Sequence, residues 1–211
     1  MSKYLKIKTP IGNFTVSDGN SKVQFPIVNV GSGMDCSSRA WCPFDGAIHK
    51  ESGRKRCYAQ KTEALYPSVL ASRRLNEKII STLNGVILGK QVADALIAKL
   101  TANRGQWNFD TVRINESGDL NKMNIKFVET LTTELRLNGI AVYLYSKAPK
   151  SLRDRAINAG ANVLHSERDF VAYGSQDELE KSGSFPCQGI CGPCKACPTF
   201  NGKQSIGILE H

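Results

Sequence analysis

Between Thr111 and His165 the apolar residues change their period four times, which limits the fold more than any other feature of the chain. Thr111-Val112-Arg113-Ile114-Asn115 reads as a strand. Met123, Phe127, Leu131 and Leu135 then step by four along a helix closed by Gly139. Ile140 to Tyr145 is an apolar strand, Ser151 to Asn158 a short helix ended by Gly160, and Ala161 to His165 a further strand. Strand, helix, strand, helix, strand with short connections means parallel strands with helices outside them. Such crossovers are right-handed, and ligands gather at the carboxyl ends of the strands.

The N-terminal part supplies what precedes this unit. Leu5–Lys8 and Phe14–Val16 alternate on either side of Pro10-Ile11-Gly12-Asn13, the pattern of an edge hairpin. Val23–Val30 is a strand candidate weakened by Pro26. Gly31-Ser32-Gly33 ends it, and a cysteine-bearing loop is expected to about Lys61. Pro67 opens a helix carried by Val69, Leu70, Ile79, Ile80 and Leu83. Val92, Leu96, Ile97 and Leu100 mark a second helix that stops at Asn103-Arg104-Gly105. Residues 1–166 therefore read as the α/β body and 167–208 as a cysteine-rich C-terminal extension. Leu209-Glu210-His211 reads as the start of a vector-derived histidine tail.

Seven cysteines fall in two groups. No apolar run reaches the roughly 20 residues of a membrane helix, and Met1–Lys6 has no apolar signal core. The chain thus reads as cytoplasmic, where thiols stay reduced and clustered cysteines point to metal or redox chemistry. Cys187-x3-Cys191-x2-Cys194-x2-Cys197-Pro198 resembles ferredoxin spacing, and Gly189, Gly192 and Pro193 allow the tight turns of a wrapped cluster. Zinc is the alternative, although structural zinc sites usually join two distant cysteine pairs. Cys36-x5-Cys42-x14-Cys57 offers three thiolates, which would leave one iron of a [4Fe-4S] cubane open to a small molecule. Seven divides as three and four, or as four and three with Cys187 crossing to the first group.

The run Asp35-Cys36, Trp41-Cys42-Pro43, Arg56-Cys57-Tyr58-Ala59, Glu63, Tyr66-Pro67 and Arg73, with Glu116-Ser117-Gly118-Asp119 and the closing cysteines, resembles a bacteriophage family called gene product 88 over about residues 28–200. The Cys-Tyr-Ala and Ser-Gly-Asp steps also resemble phage proteins related to the radical S-adenosylmethionine superfamily. That resemblance implies a partial (β/α) barrel with a three-cysteine [4Fe-4S] cluster after its first strand, S-adenosylmethionine as a possible cofactor, and a host-cytoplasm location. The superfamily's usual C-x3-C-x2-C spacing is absent from the first loop. It occurs instead as Cys187, Cys191 and Cys194. Glu116-Ser117-Gly118-Asp119 only mimics the Gly-Gly-Glu step that holds the methionine amino group, with Ser117 and Gly118 in its centre.

Further site candidates follow from position. Glu116 and Asp119 succeed one strand, Ser146 and Lys147 the next, and His165, Ser166 and Glu167 the last, so all could line one mouth. Asp119 or Asn121 could equally cap a helix. Trp41 and Tyr58 could shield a cluster from solvent. The net charge of +9 concentrates at Lys50, Arg54, Lys55, Arg56 and Lys61, and at Lys147, Lys150, Arg153 and Arg155. Such a basic rim would attract a nucleotide or nucleic acid. The expectation is an iron–sulfur enzyme using Glu116, Asp119, Lys147 and His165 on a nucleotide or nucleic acid. Alternatives are a nucleic-acid or host-protein binding module with structural iron–sulfur or zinc sites, and an electron carrier.

Overall fold

A computed structural model describes residues 4–42, 45–46, 57–102, 109–166, 168–189, 191–194 and 196–209. Pro43, the helix stop at 103–105, Glu167 and the basic residues Lys50, Arg54, Lys55 and Arg56 lie outside the described residues.

Tyr4–Thr9 (β1) and Gly12–Ser17 (β2) form the expected antiparallel hairpin, with Thr9 paired to Gly12. The Thr9 hydroxyl closes the turn by donating to the Gly12 carbonyl at 2.7 Å. The next strand shrinks to Ile27–Val28 (β3), because Pro26 has no amide to donate. Its carbonyl still accepts from the Arg113 amide at 3.0 Å. Three helices follow: Tyr58–Leu65 (α1), Pro67–Thr82 (α2) and Gly85–Ala102 (α3). The cysteine loop thus ends at Cys57, one helical turn before Lys61. Thr111–Ile114 (β4), Ile125–Leu137 (α4), Ala141–Ser146 (β5), Lys150–Asn158 (α5) and Asn162–His165 (β6) match the expected alternation within two residues at nearly every end.

The six strands form one mixed sheet in sequential order, with β3 to β6 parallel and the hairpin antiparallel at one edge. Sequential order with right-handed crossovers puts α4 and α5 on the same face. Among the described residues nothing sets the expected partial radical-SAM-like barrel apart from an open mixed α/β sheet, and the sheet does not close. Two features account for this. The hairpin occupies the edge where further parallel units would add. Beyond β6, the amides of Arg168 and Asp169 bond back to the His165 carbonyl and turn the chain out of the sheet.

The extension builds its own sheet, which the sequence did not suggest. Phe170–Tyr173 (β7), Phe185–Pro186 (β8) and Ile206–Leu209 (β9) pair in parallel in the order β7-β9-β8. Gln176–Lys181 (α6) and the single turn Cys191–Cys194 (α7) lie between them. Leu209, read as part of a tail, closes β9 opposite Tyr173.

Alternation along the central strands separates two faces. Val112, Ile114, Val142 and Leu144 are at most 2% exposed and belong to the main core with Leu96, Leu131 and Leu135. Phe14 reaches Phe127 of α4 at 5.5 Å between ring centroids. Gly89 lets α3 meet α4, since a Cβ there would stand 2.9 Å from the Phe127 carbonyl oxygen. The intervening residues Arg113, Tyr143 and Tyr145 occupy the other face, hereafter the inner face. Ile27, Arg113, Tyr143 and Asn162 stand in register across four strands there. No helix among the described residues is long and apolar enough to cross a membrane.

Candidate functional site

The carboxyl ends of β3, β4 and β5 carry loops fastened to one another by buried polar groups. Asn29 Oδ1 accepts from the Glu116 and Ser117 amides at 3.0 Å each, and the Ser117 hydroxyl donates to the Gly31 carbonyl at 2.7 Å. Gly118, at φ +77°, lies so close to Gly31 that a Cβ would meet its backbone at 2.9 Å. Asn115 is also left-handed at φ 64°, is 4% exposed, and has neither side-chain amide atom hydrogen-bonded among the described residues. Ser117 and Gly118, expected to hold a cofactor, join the β3 and β4 loops.

Arg73 of α2 sits between two carboxylates. It donates to Glu63 at 2.9 Å and to Glu116 at 2.8 Å. Glu63, 1% exposed, also accepts from the amides of Gly33 and Met34 at 2.7 and 2.9 Å, which anchors the start of the cysteine loop. Glu116 accepts from Asn20 with its other oxygen at 2.8 Å. This candidate catalytic carboxylate is therefore committed to an ion pair that ties the β4 loop to α2.

Asp119 has a different setting. Its oxygens accept from the hydroxyls of Ser38 (2.5 Å) and Ser146 (2.6 Å) and from the amides of Leu120 (2.7 Å) and Lys147 (2.9 Å). The helix-capping alternative falls to Asn121 and Asn124, which exchange bonds at the start of α4. Asp119 instead joins the cysteine loop to the end of β5.

Cys36, Cys42 and Cys57 come within electrostatic reach of one another beside Asp119. Burial, with Asp119 and the other two thiols, raises Cys36 to about 12, and burial also raises Cys57. The Lys147 ammonium stands 3.5 Å from Cys42 Sγ. Tyr58, expected as a shield, is 56% exposed. The Trp41 side chain lies outside the described residues.

The second group lies on the inner face. Cys187, Cys191, Cys194 and Cys197 line one recess, walled by Phe185, Gly189, Ala196, Pro198 and Ile206. The extension is pinned there by Asn162, which donates to the carbonyls of Cys197 and Pro198 at 3.0 and 2.9 Å. The Cys191 amide donates to the Lys22 carbonyl at 2.7 Å. The Tyr145 hydroxyl donates to Cys197 Sγ at 2.8 Å. Burial raises Cys197 to about 11 and Cys191 in the same direction. Arg113 lies over the Tyr145 ring at 5.1 Å. Its Nε is buried with no hydrogen-bond partner among the described residues. Burial opposes the Arg113 charge, yet nearby Tyr143, Tyr145, Glu116 and Cys191 raise its pKa overall.

Among the described residues, no three of His, Cys, Asp and Glu are placed to grip a single metal ion. Tetrahedral zinc would need sulfurs roughly 3.8 Å apart, given a Zn–S bond of about 2.3 Å.

His165 ends β6, where its amide donates to Asp169 at 2.9 Å. The second basic run is mostly paired locally. Lys150 bonds Asp154 and Arg155 bonds Glu129, each at 2.6 Å, while Arg153 donates to the Ala148 carbonyl. Sequence reading missed Arg113, Tyr143 and Tyr145. Their signal was a cation and two phenols at alternate positions of otherwise apolar strands.

Fold and site together define an open-sheet α/β protein whose cysteines gather in two groups, one above the carboxyl ends of its parallel strands and one on its inner face. The chain belongs to the gene product 88 family, whose model matches residues 9–173. The match takes in Cys36, Cys42, Cys57 and Glu116–Asp119 and stops before the four C-terminal cysteines. No curated protein and no solved structure matches the chain.

Proposed function

We propose that this is an iron–sulfur protein. Cys187, Cys191, Cys194 and Cys197 would hold one [4Fe-4S] cluster, and Cys36, Cys42 and Cys57 would hold a second through three thiolates. The supporting observation is that Cys187, Cys191, Cys194 and Cys197 line a single apolar recess, while Cys36, Cys42 and Cys57 lie within electrostatic reach of one another elsewhere. A three-thiolate cluster supplies an iron that can take a small molecule, S-adenosylmethionine or the substrate itself. Around it this chain offers the Lys147 ammonium as a fixed cation and Asp119 as the carboxylate that holds the surrounding loops in place. On this reading the protein is a phage enzyme acting on a nucleotide or nucleic acid, the excess of basic residues favouring a polyanionic substrate.

Iron and acid-labile sulfide per chain in anaerobically purified protein test the first layer. About eight irons support two clusters and about four support one, whereas zinc without sulfide overturns the proposal. Incubation with S-adenosylmethionine and dithionite tests the second. Release of 5'-deoxyadenosine supports the enzyme, and neither product nor spectral change removes the radical version.

A further inference from the structure

The inner face beneath the C-terminal cysteines carries Arg113, a cation whose Nε is buried and which Tyr143, Tyr145, Glu116 and Cys191 reach electrostatically. Among the described residues no carboxylate forms an ion pair with Arg113, and its buried Nε has no hydrogen-bond partner. A buried cation without a counter-charge is costly. The same face holds Tyr143, wholly buried, whose hydroxyl interacts with the Cys191 thiol. Tyr145 completes the surface: its ring carries Arg113 at 5.1 Å, its edge meets Tyr143 at 5.8 Å, and its hydroxyl bonds Cys197 Sγ at 2.8 Å. Arg113 and Tyr143 are paired in register on neighbouring strands, so the surface is rigidly built. All of it faces four sulfurs that carry net negative charge once they ligate iron.

We infer that Arg113, Tyr143 and Tyr145 are positioning residues that compensate the charge of a C-terminal iron–sulfur centre and set its reduction potential. The inference rests on the iron–sulfur reading above. A nearby cation and hydrogen bonds to ligand sulfurs both favour the more negative, reduced state, so this surface raises the potential.

The experiment is a redox titration of the anaerobically purified full chain, followed by electron paramagnetic resonance. The C-terminal signal is identified by its loss in Cys194→Ser. At the wild-type midpoint, Arg113→Met is expected to shift the oxidised-to-reduced ratio about tenfold toward oxidised, equivalent to about 59 mV for one electron. Tyr145→Phe shifts it in the same direction, and Arg113→Lys restores most of the wild-type value. An unchanged midpoint in Arg113→Met and Tyr145→Phe, with iron content intact, overturns the inference and leaves the iron–sulfur reading standing. Wild-type protein without iron or sulfide overturns that reading itself. If Arg113→Met does not accumulate as folded protein, Tyr145→Phe decides: a lower midpoint supports the inference and an unmoved one overturns it.

Discussion

Arg73→Met isolates the interaction on which the cysteine loop depends. The wild-type guanidinium is buried between Glu63 and Glu116, whose side chains are 0% and 13% exposed. Methionine matches much of the arginine stem but leaves both carboxylates without a cation. Glu116 keeps Asn20 and some solvent, so its loss is modest. Glu63 keeps only the Gly33 and Met34 amides, and an ionised carboxylate with no counter-charge remains in the interior. Removing one partner of such a pair costs about 3–5 kcal/mol, a large share of the roughly 5–15 kcal/mol that holds a domain together. Urea unfolding followed by circular dichroism should show a lower midpoint with an unchanged slope. The thermal midpoint should fall by roughly 10 °C for a chain of this size. Adding Glu63→Gln removes the stranded charge, so the double variant should be more stable than Arg73→Met alone. The Gly33 and Met34 amides open the loop that carries Cys36, so iron per chain should fall in Arg73→Met as well. A loss below about 1 kcal/mol, or a double variant as unstable as strict additivity demands, would refute the claim that this triad fastens the loop.

Two further outcomes follow from the same loops. Asp119→Ala leaves two hydroxyls and two amides without their acceptor; at about 1–3 kcal/mol for each buried group left unpaired and not rehydrated, a total loss of about 4 kcal/mol or more should appear in the same urea assay, and a neutral result would mean that Asp119 holds nothing together. Cys36 in metal-free protein should resist alkylation: with its pKa near 12 against an ordinary 9.0, thiolate at pH 8 is about a thousandfold scarcer, so the rate should keep rising tenfold per pH unit beyond pH 9. The sign follows from the folded state binding this proton more tightly than the unfolded chain. The neutral thiol's contribution to stability is complete below pH 9 and fades as pH climbs toward 12. Ligation must release that proton, so metal loading at this group should strengthen with pH. An alkylation profile that levels off near pH 9 would show that Cys36 is not buried as described.

The elements from Thr111 to His165 were legible because their residues answer to one local rule each. Met123, Phe127, Leu131 and Leu135 keep a helical period, and the strands are short apolar runs between glycine stops. The hairpin was legible for the same reason, through Pro10 to Asn13. Whether the expected partial barrel would continue beyond its last strand was not legible, because that depends on what occupies the sheet's edges. A two-residue turn at Arg168-Asp169 decides that, and no periodicity announces it. The β7-β9-β8 sheet was missed because Phe185-Pro186 is too short to show alternation and Ile206–Leu209 looked like the end of a tail. At the site, cysteine spacing pointed to two thiol groups before any coordinates. The role of Glu116 could not be read, since an acid after a strand looks the same whether it faces substrate or an arginine forty-three residues away in the chain.

What remained hidden explains why the two thiol groups differ. The N-terminal three lie on loops fixed by Glu63, Arg73 and Asp119, so their geometry depends on hydrogen bonds made far along the chain. The C-terminal four are local in sequence and need only a surface to rest on. That surface comes from β4 and β5 through Arg113, Tyr143 and Tyr145, and from Asn162 on β6, which holds the backbone of Cys197 and Pro198. The family match includes these strands but ends before the cysteines that cover them. Within residues 9–173 Arg113, Tyr143 and Tyr145 already meet one another and Phe25, whose ring centroid lies 5.7 Å from that of Tyr143. The following segment, returning through β7 and β8, adds Cys191 and Cys197 to that contact.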